Sequence, residues 1–328
     1  MAYGRFGASG RHVVVCACPV APVHHVYSYR SSSHPQRFLR NGNGVVLVQV
    51  LTSEYRLEDR TTEDPVMHNP LNIIDIENLV KTYDSGHKAL DGLSLKVRKG
   101  TIFGFLGLNG AGKTTTIRIL AGLNSKDSGT VRLFGKELVE QDNSHLQRIG
   151  FVLDEPLYFD WMSAGEYFRF VGIMYDLDRE QIDGRARELL DFFDLGEKGD
   201  DPIESFSTGM KKKVSLAAAI IHKPELIVLD EPLEGIDALA ASSIKESLQM
   251  MARGGATIFI TSHVLDTVEK FCNEIAIVHQ GKVLLQCLTS DIRLRAKGEL
   301  VNSTYASLEE LFVDLVSDKL KKKHLSWL

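Results

Sequence analysis

The chain has few cysteines and no long apolar run, and both absences narrow the class of protein. It holds 4 cysteines among 328 residues, at Cys16, Cys18, Cys272 and Cys287, too few and too irregularly spaced for a disulfide framework. Apolar runs such as Leu226–Leu229 fall far short of the roughly 20 residues that span a bilayer. We therefore expect a protein of a reducing compartment that reaches a membrane only through a partner.

An excess of positive charge is also missing. The sequence has 38 Lys and Arg against 43 Asp and Glu, a formal net charge of −5 and a pI near 6.1. This charge balance gives no global attraction to nucleic acid, so we expect no nucleic-acid partner. Any anionic ligand must be bound by a local cluster of positive or hydrogen-bond-donating groups. The composition, 44% hydrophobic and 25% charged, is that of a globular protein and excludes disordered and collagen-like chains.

Residues 1–66 lack lysine, and they lack acidic residues before Glu54. Short apolar runs there flank a Ser-, His- and Arg-rich stretch, without a sustained strand or helix period. We expect this segment to be mostly disordered, or to be an upstream translation that precedes a true start at Met67. A transit peptide is the alternative that an Arg-rich, acid-poor N-terminus leaves open.

After Met67 the pattern becomes regular. Strand-like runs are NIIDIENL, LSLKV, TIFGFLG, GTVRLFG, IGFVL, ELIVLDE, ATIFITS and EIAIVHQGKVLLQ. Helix-like runs are KTTTIRILAGL, AGEYFRFVGIMY, GRARELLDFFDL, LAASSIKESLQMMA, VLDTVEKFC and SLEELFVDLVSDKL. Buried strands that alternate with helices predict an α/β fold with a mostly parallel sheet covered on both faces. We expect one domain over 67–320, with a helical subdomain at about 154–222, and a basic tail at 321–328.

The strongest motif is GLNGAGKT, which lies between a predicted strand and a predicted helix. It matches the phosphate-binding loop G-x-x-x-x-G-K-[ST], whose glycines let backbone N–H groups point at phosphate oxygens beside a helix N-terminus. Lys113 would contact the β- and γ-phosphates, Thr114 would bind Mg²⁺ and Thr115 the α-phosphate. The predicted nucleotide-binding residues of this loop are Gly107, Leu108, Asn109, Gly110, Ala111, Gly112, Lys113, Thr114 and Thr115.

A pair of carboxylates follows another buried strand. Leu226–Leu229 delivers Asp230 and Glu231 at its carboxyl end, the edge at which open α/β sheets bind ligands. Phosphoryl transfer needs a carboxylate for the metal's water shell and a group that orients the attacking water. We expect Asp230 to bind Mg²⁺ through water and Glu231 to polarise or deprotonate the attacking water.

From about Asn72 to Leu320 the chain resembles the ATP-binding subunits of ATP-binding-cassette (ABC) transporters. The family's signature motif corresponds to FSTGM, which retains Ser207 and Gly209. The resemblance implies an ABC cassette of the P-loop NTPase fold, with an antiparallel β part, ATP and Mg²⁺ as cofactors and a head-to-tail dimer around two nucleotides. It further implies roles for Tyr83 as adenine-stacking aromatic, for Asp237 of EGID, and for His263 as the histidine that contacts the γ-phosphate.

Two departures from the family pattern stand out. Asp154 or Glu155 occupies the place of the usual metal-sensing glutamine, where a carboxylate can still serve the metal shell but adds negative charge near Asp230. The signature carries Thr208 and Met210 in place of Gly and Gln. STGMKKK and the C-terminal SLEELF look most like the branch whose partner is an ABC-2-type exporter permease.

The resemblance implies a cytoplasmic ATPase, peripheral on the cell membrane, that dimerises with itself or a paralogue. It would power a separate permease subunit, for export by the likeness to that branch. A non-transport cassette acting on ribosomes or nucleic acid is the alternative, but such chains carry two cassettes or long coiled coils, and this one has neither. A small-molecule kinase or GTPase would leave FSTGM and ITSH unexplained, and the guanine-reading N-K-x-D tetrapeptide is absent.

Overall fold

The computed structural model describes residues 72–139, 142–154, 159–292 and 307–317. At residues 266, 267 and 317 only the backbone is described, and between Ala2 and Leu51 only the backbone of the strands. The chain forms two units, described separately below. One unit comprises Met1–Met67 and Pro156–His222, and the other His68–Glu155 and Lys223–Leu328.

The strands and helices are numbered in chain order. The strands are β1 Ala2–Phe6, β2 Arg11–Val15, β3 Val23–Arg30, β4 Pro35–Asn41, β5 Gly44–Val48, β6 Val50–Leu51, β7 Asn72–Thr82, β8 Lys88–Arg98, β9 Ile102–Leu106, β10 Ser128–Leu133, β11 Lys136–Glu137, β12 Ile149–Val152, β13 Leu226–Leu229, β14 Thr257–Ser262, β15 Glu274–His279 and β16 Lys282–Leu288. The α-helices are α1 Lys113–Leu120, α2 Ala164–Met174, α3 Arg179–Phe192, α4 Thr208–Ile220, α5 Ala238–Arg253, α6 Leu265–Phe271 and α7 Leu308–Ser317.

A six-stranded sheet forms the centre of the second unit. Its order is β12-β13-β14-β9-β15-β16; the first five strands are parallel and β16 pairs antiparallel with β15. Every residue of β9, β13, β14 and β15 is buried, as expected for parallel strands covered on both faces. The rings of Phe103 and Phe259 stack between neighbouring strands at 5.7 Å. The predicted α/β class with a mostly parallel sheet is confirmed.

An antiparallel sheet of order β11-β10-β7-β8 completes this unit. In β8 buried and less buried residues alternate through much of the strand, the pattern of a sheet with one covered face. The antiparallel β part that the family resemblance implies is therefore present.

The strand-like run EIAIVHQGKVLLQ contains two strands, β15 and β16. It forms a hairpin, because Gln280 and Gly281 adopt left-handed backbone conformations with φ of 48° and 74°. Two consecutive residues of that kind make the tight turn that matches the twist of paired strands. β15 and β16 therefore run antiparallel on either side of this turn.

In the other unit, helices α2, α3 and α4 lie within the range predicted to be a helical subdomain. Local sequence explains where α2 and α3 begin. Ser163 and Asp178 each accept a hydrogen bond from the third backbone N–H of the helix, and the side chains of Glu166 and Gln181 accept one from the backbone N–H of the cap residue. Such reciprocal capping satisfies amide groups that have no partner inside the helix.

The N-terminal strands form two small antiparallel sheets, β1-β2-β6 and β3-β4-β5. They lie in the segment for which composition predicts disorder or an upstream translation. That the rest of the protein folds and works without this segment stays a prediction. The predicted tail at 321–328 lies outside the described residues. Among the residues that are described, no helix combines the length and apolarity needed to cross a bilayer.

Candidate functional site

Three neighbouring parallel strands end at one edge of the six-stranded sheet, and each delivers predicted site residues there. β9 leads into the glycine-rich loop and α1, β13 ends just before Asp230, and β14 ends just before His263. Because carboxyl ends of parallel strands meet at the same edge, residues far apart in sequence become neighbours. Ion pairs and hydrogen bonds described below join them directly.

The backbone of the phosphate-binding loop requires its glycines. Gly110 and Gly112 have φ of 80° and 110°, conformations that L side chains rarely adopt. A Cβ at Gly107 would lie 2.5 Å from the Val278 carbonyl oxygen, and one at Gly112 would lie 2.8 Å from the Ala89 oxygen. Close backbone neighbours therefore leave no room for a side chain at either position.

Lys113 is the buried cation of the loop. Its side chain is 6% exposed, its Nζ donates a 2.8 Å hydrogen bond to the Gly107 carbonyl, and it lies 3.3 Å from Oε1 of Glu231. Leu108, Asn109 and Gly110 are exposed at the tip of the loop. The ammonium group is thus held beside the loop backbone that would surround phosphate oxygens.

The remaining loop residues differ in their surroundings. Ala111 is buried and its carbonyl accepts a 2.9 Å hydrogen bond from the N–H of Gly281. Thr114 is exposed, whereas Thr115 is buried. Both threonines lie in the first turn of α1, where N–H groups without helical partners favour anionic ligands.

Asp230 is almost completely buried, with 1% of its surface exposed. Oδ1 accepts a 2.6 Å hydrogen bond from the Thr261 hydroxyl, and Oδ2 makes no hydrogen bond within the described part of the chain. Burial raises the pKa of Asp230 above its usual value; hydroxyls of Thr261 and Thr114 oppose this, while the charges of Asp154 and Glu231 add to it.

These properties fit a divalent cation beside Asp230. A buried carboxylate oxygen without a donor is unfavourable unless a positive group compensates it. Hard cations such as Mg²⁺ prefer carboxylate and hydroxyl oxygens, and Asp230, Thr114 and Asp154 supply these groups. Asp154 follows the end of β12, which pairs with β13, and Glu155, the alternative at this place, lies outside the described residues.

Glu231 connects the phosphate loop with the end of β14. Oε1 lies 3.3 Å from Nζ of Lys113, and Oε2 lies 3.2 Å from Nδ1 of His263. Its side chain is 11% exposed, against 40% for His263, so the histidine is the more accessible of the pair. The backbone of Glu231 has φ of 47°, which costs a non-glycine residue roughly 1–2 kcal/mol.

Tyr83 lies beside the phosphate-binding helix. Its hydroxyl is 3.1 Å from Oγ1 of Thr115 and accepts a 3.0 Å hydrogen bond from Nδ2 of Asn124. The ring is half-buried. This position next to the loop is compatible with the stacking role that the family resemblance implies.

Ser207 and Asp237 each cap a helix. Ser207 precedes α4, and its hydroxyl oxygen accepts from the N–H of Met210 at 3.3 Å, with Gly209 buried in the first turn. Asp237 precedes α5 and accepts from the N–H groups of Leu239 and Ala240 at 3.0 and 2.9 Å.

Two residues of this site are absent from the sequence-based prediction. Thr261 links the Asp230 carboxylate to the Glu231 backbone, since its hydroxyl donates to Oδ1 of Asp230 and accepts from the Glu231 N–H at 3.0 Å. The strand ATIFITS also contains Thr257 and Ser262, so no local pattern marks Thr261 for this role. One side-chain oxygen of Glu234 lies within 4.8 Å of a carboxylate oxygen of Glu231 and of a ring nitrogen of His263. In the sequence, only the position of Glu234 shortly after Asp230 and Glu231 indicated that it lies near the site.

Comparison with known proteins gives consistent results. A family model described as ABC transporter matches residues 90–234. The chain is 36% identical over 243 residues to the linearmycin resistance ATP-binding protein LnrL of Bacillus subtilis (strain 168), covering 74% of this chain and 78% of that protein. It is 36% identical over 217 residues to the bacitracin transport ATP-binding protein BcrA of Bacillus licheniformis, covering 65% and 68%. A solved structure described as an ATP binding subunit of ABC transporter superposes with a TM-score of 0.67 at 29% identity, covering 74% and 99%.

Proposed function

The chain belongs to the ATP-binding subunits of ABC transporters and is an ATPase coupled to transport, and on that premise we propose how its residues divide the work. The observation that carries the proposal is the convergence of Lys113, Glu231 and His263 at one sheet edge through contacts of 3.3 and 3.2 Å. A buried cation, a carboxylate and an imidazole are the groups that positioning and charge stabilisation in phosphoryl transfer require.

Lys113 and the N–H groups from Gly107 to Thr115 bind the phosphates of ATP. Glu231 orients the attacking water and accepts its proton, and His263, held through Nδ1, contacts the γ-phosphate. When bound, Mg²⁺ neutralises charge that develops on the phosphate oxygens; Thr114, Asp230 and Asp154 are the residues that would hold it. ATP and water are converted to ADP and phosphate.

Ser207, Gly209 and Asp237 act across a dimer interface. The Ser207 hydroxyl accepts from Met210 and therefore keeps its own proton, which can be donated to a phosphate oxygen. Together with the amide groups at the start of α4 it makes an anion-binding helix N-terminus. In a head-to-tail dimer, with itself or with a paralogue, this motif faces the γ-phosphate bound by the opposite subunit, beside Asp237.

The chain works in the cytoplasm, peripheral on the cytoplasmic face of the cell membrane, and drives a separate permease subunit. Export is the direction that its relatives support, since a bacitracin transport protein, a linearmycin resistance protein and a Nod factor export protein are among them. Nucleic acid is not a partner in this proposal, and the net charge of −5 agrees with that.

Affinity purification of the tagged protein from detergent-solubilised native membranes tests the partner. Mass spectrometry should identify a polytopic membrane protein that is lost from a mock purification without the tag. ATP hydrolysis by the recovered complex should exceed that of the isolated subunit. Recovery of ribosomes or DNA-repair proteins without a membrane protein would overturn the transport proposal and leave the ATPase assignment intact.

A further inference from the structure

The loop that follows α1 holds the end of the strand that carries Tyr83. Asp127 accepts a 2.6 Å hydrogen bond from the N–H of Thr82 and lies 3.4 Å from Nζ of Lys81. The N–H of Asp127 in turn donates to the Val80 carbonyl at 2.9 Å. We call Asn124–Asp127 the clamp loop, because these contacts fix the backbone just before Tyr83.

Asn124 is the residue of the clamp loop that contacts Tyr83 itself. Its Nδ2 donates a 3.0 Å hydrogen bond to the Tyr83 hydroxyl, which also lies 3.1 Å from Oγ1 of Thr115. Both Asn124 and Tyr83 are half-buried, and Thr115 is buried. The phenol is therefore held between the phosphate-binding helix and the loop that leaves it.

The backbone of Asn124 is anchored to the same helix. The N–H groups of Leu123 and Asn124 donate to the Arg118 carbonyl at 2.8 and 3.1 Å, at the end of α1. The Tyr83 hydroxyl thus has two neighbours that are tied to α1. One is Thr115, in the first turn of the helix, and the other is Asn124, which follows the last turn. The position of the ring follows the position of the phosphate-binding helix.

We propose that Asn124 is a positioning residue for the adenine base: by holding the Tyr83 hydroxyl, it fixes the ring at a set distance from the phosphate loop before ATP binds. The proposal rests on the role of Tyr83 in adenine stacking given above. A tyrosine side chain that is already ordered loses less conformational entropy when a base stacks on it, which increases affinity. Asn124 should therefore matter for the base of the nucleotide and not for its phosphates.

Binding of ATP and of inorganic tripolyphosphate, each with Mg²⁺, separates these two contributions. By isothermal titration calorimetry, Asn124→Ala in the full-length protein should weaken ATP binding about threefold to tenfold, the range for one hydrogen bond of ordinary strength. Tripolyphosphate binding should be unchanged. Asn143→Ala is the matched control, because Asn143 makes no side-chain cap bond to the short helix it precedes; it should alter neither ligand.

A double-mutant cycle tests whether the effect goes through the hydroxyl. Tyr83→Phe keeps the ring and loses both hydroxyl contacts, so it should weaken ATP binding as well, and adding Asn124→Ala in that background should have no further effect. Equal weakening of ATP and tripolyphosphate by Asn124→Ala would indicate general damage to the site and overturn the proposal. So would an Asn124→Ala effect that persists in Tyr83→Phe.

Tyr83→Ala distinguishes failure of this inference from failure of the assigned function. If it leaves the ratio of ATP to tripolyphosphate affinity unchanged, Tyr83 does not contact the base and Asn124 has nothing to position. The ATPase assignment would then still stand on Lys113 and Glu231. If Tyr83→Ala lowers the ratio while Asn124→Ala does not, the stacking role stands and the positioning role of Asn124 is rejected.

Discussion

The hydroxyl of Thr261 donates a 2.6 Å hydrogen bond to Oδ1 of Asp230, so a residue of β14 orients the carboxylate at the end of β13. The hydroxyl oxygen of Thr261 also accepts a 3.0 Å hydrogen bond from the N–H of Glu231. One threonine therefore fixes a buried carboxylate and the strained backbone of the residue after it. Because the two strands are neighbours in the sheet, this bond links the two strands that supply Asp230, Glu231 and His263.

Replacing Thr261 by valine should lower ATPase activity and weaken Mg²⁺ binding. The valine side chain has a similar shape but removes the donor that stabilises ionised Asp230, so the pKa of Asp230 should rise further and its carboxylate should bind Mg²⁺ less tightly. We expect a loss of about 1–3 kcal/mol in stability, measured by denaturant unfolding, and a higher Mg²⁺ concentration for half-maximal activity. Thr261→Ser keeps the hydroxyl and should approach wild type; equal behaviour of the two variants would exclude this role.

Glu231→Gln should retain ATP binding and lose most turnover. The amide keeps the shape of the side chain but cannot accept a proton, and general-base catalysis typically contributes at least about 100-fold. An ATP-bound dimer should accumulate, seen as a doubled mass by light scattering in the presence of ATP and Mg²⁺. Glu246→Gln changes an exposed carboxylate of α5 as control. A phosphate-release rate near wild type in Glu231→Gln would remove Glu231 from its role.

Lys113→Ala should weaken nucleotide binding at least about tenfold, because hydrogen bonds to a charged group are worth about 1.5–3 kcal/mol. Tripolyphosphate should be affected as strongly as ATP, since the ammonium group is assigned to phosphates. Titration calorimetry gives both affinities, and Lys136→Ala at an exposed position of β11 is the control. Unchanged ATP binding would count against the phosphate-binding loop.

Removal of residues 1–66, with translation from Met67, should leave the melting temperature and the ATPase rate unchanged. All site residues named above lie beyond this segment, whose composition differs from that of the rest of the chain. Differential scanning calorimetry and a coupled ATPase assay on both forms test the expectation. A melting temperature several degrees lower in the shortened chain would show that the segment belongs to the folded domain.

Glu225 predicts a pH-dependent contribution to stability. Hydrogen bonds from Arg148 and Lys99 at 2.7 and 2.8 Å lower the pKa of Glu225 from 4.5 to about 2. A depressed carboxylate pKa contributes stability above its unfolded value of 4.5, and this contribution is lost as the pH falls from there toward about 2. Because the site is partly exposed, Glu225→Gln should cost only about 0.5–1 kcal/mol at pH 7. The difference in melting temperature from wild type should shrink at pH 3.5, and Glu188→Gln, at an exposed position of α3, should show no such trend.

The sequence could predict most strands and helices, and where the proposed site residues lie in the fold, because local signals agree with the fold. The glycine-rich loop follows an apolar strand, and Asp230 and Glu231 follow another, so their meeting at one sheet edge is a consequence of strand direction. Thr261 escaped prediction because a threonine in a buried strand has no local pattern that marks it as a hydrogen-bond bridge. Its partner Asp230 is 31 residues away.

Contacts between distant segments were likewise out of reach of sequence patterns. The pairing of Asn124 with Tyr83 depends on where the loop after α1 passes β7. The hydrophobic periodicity and the sequence motifs indicate each strand, helix and loop separately. They do not indicate which polar side chains of neighbouring elements contact each other.

The hairpin between β15 and β16 also determines when during synthesis the nucleotide site can be completed. The N–H of Gly281 bonds the Ala111 carbonyl of the phosphate loop, and its carbonyl accepts from the N–H of Asp91 at 3.0 Å. The loop is made early by the ribosome, but the residue that braces it emerges much later. A nascent chain that ends before Gly281 carries every phosphate-binding residue without that support, so the loop is braced only once the hairpin has been synthesised.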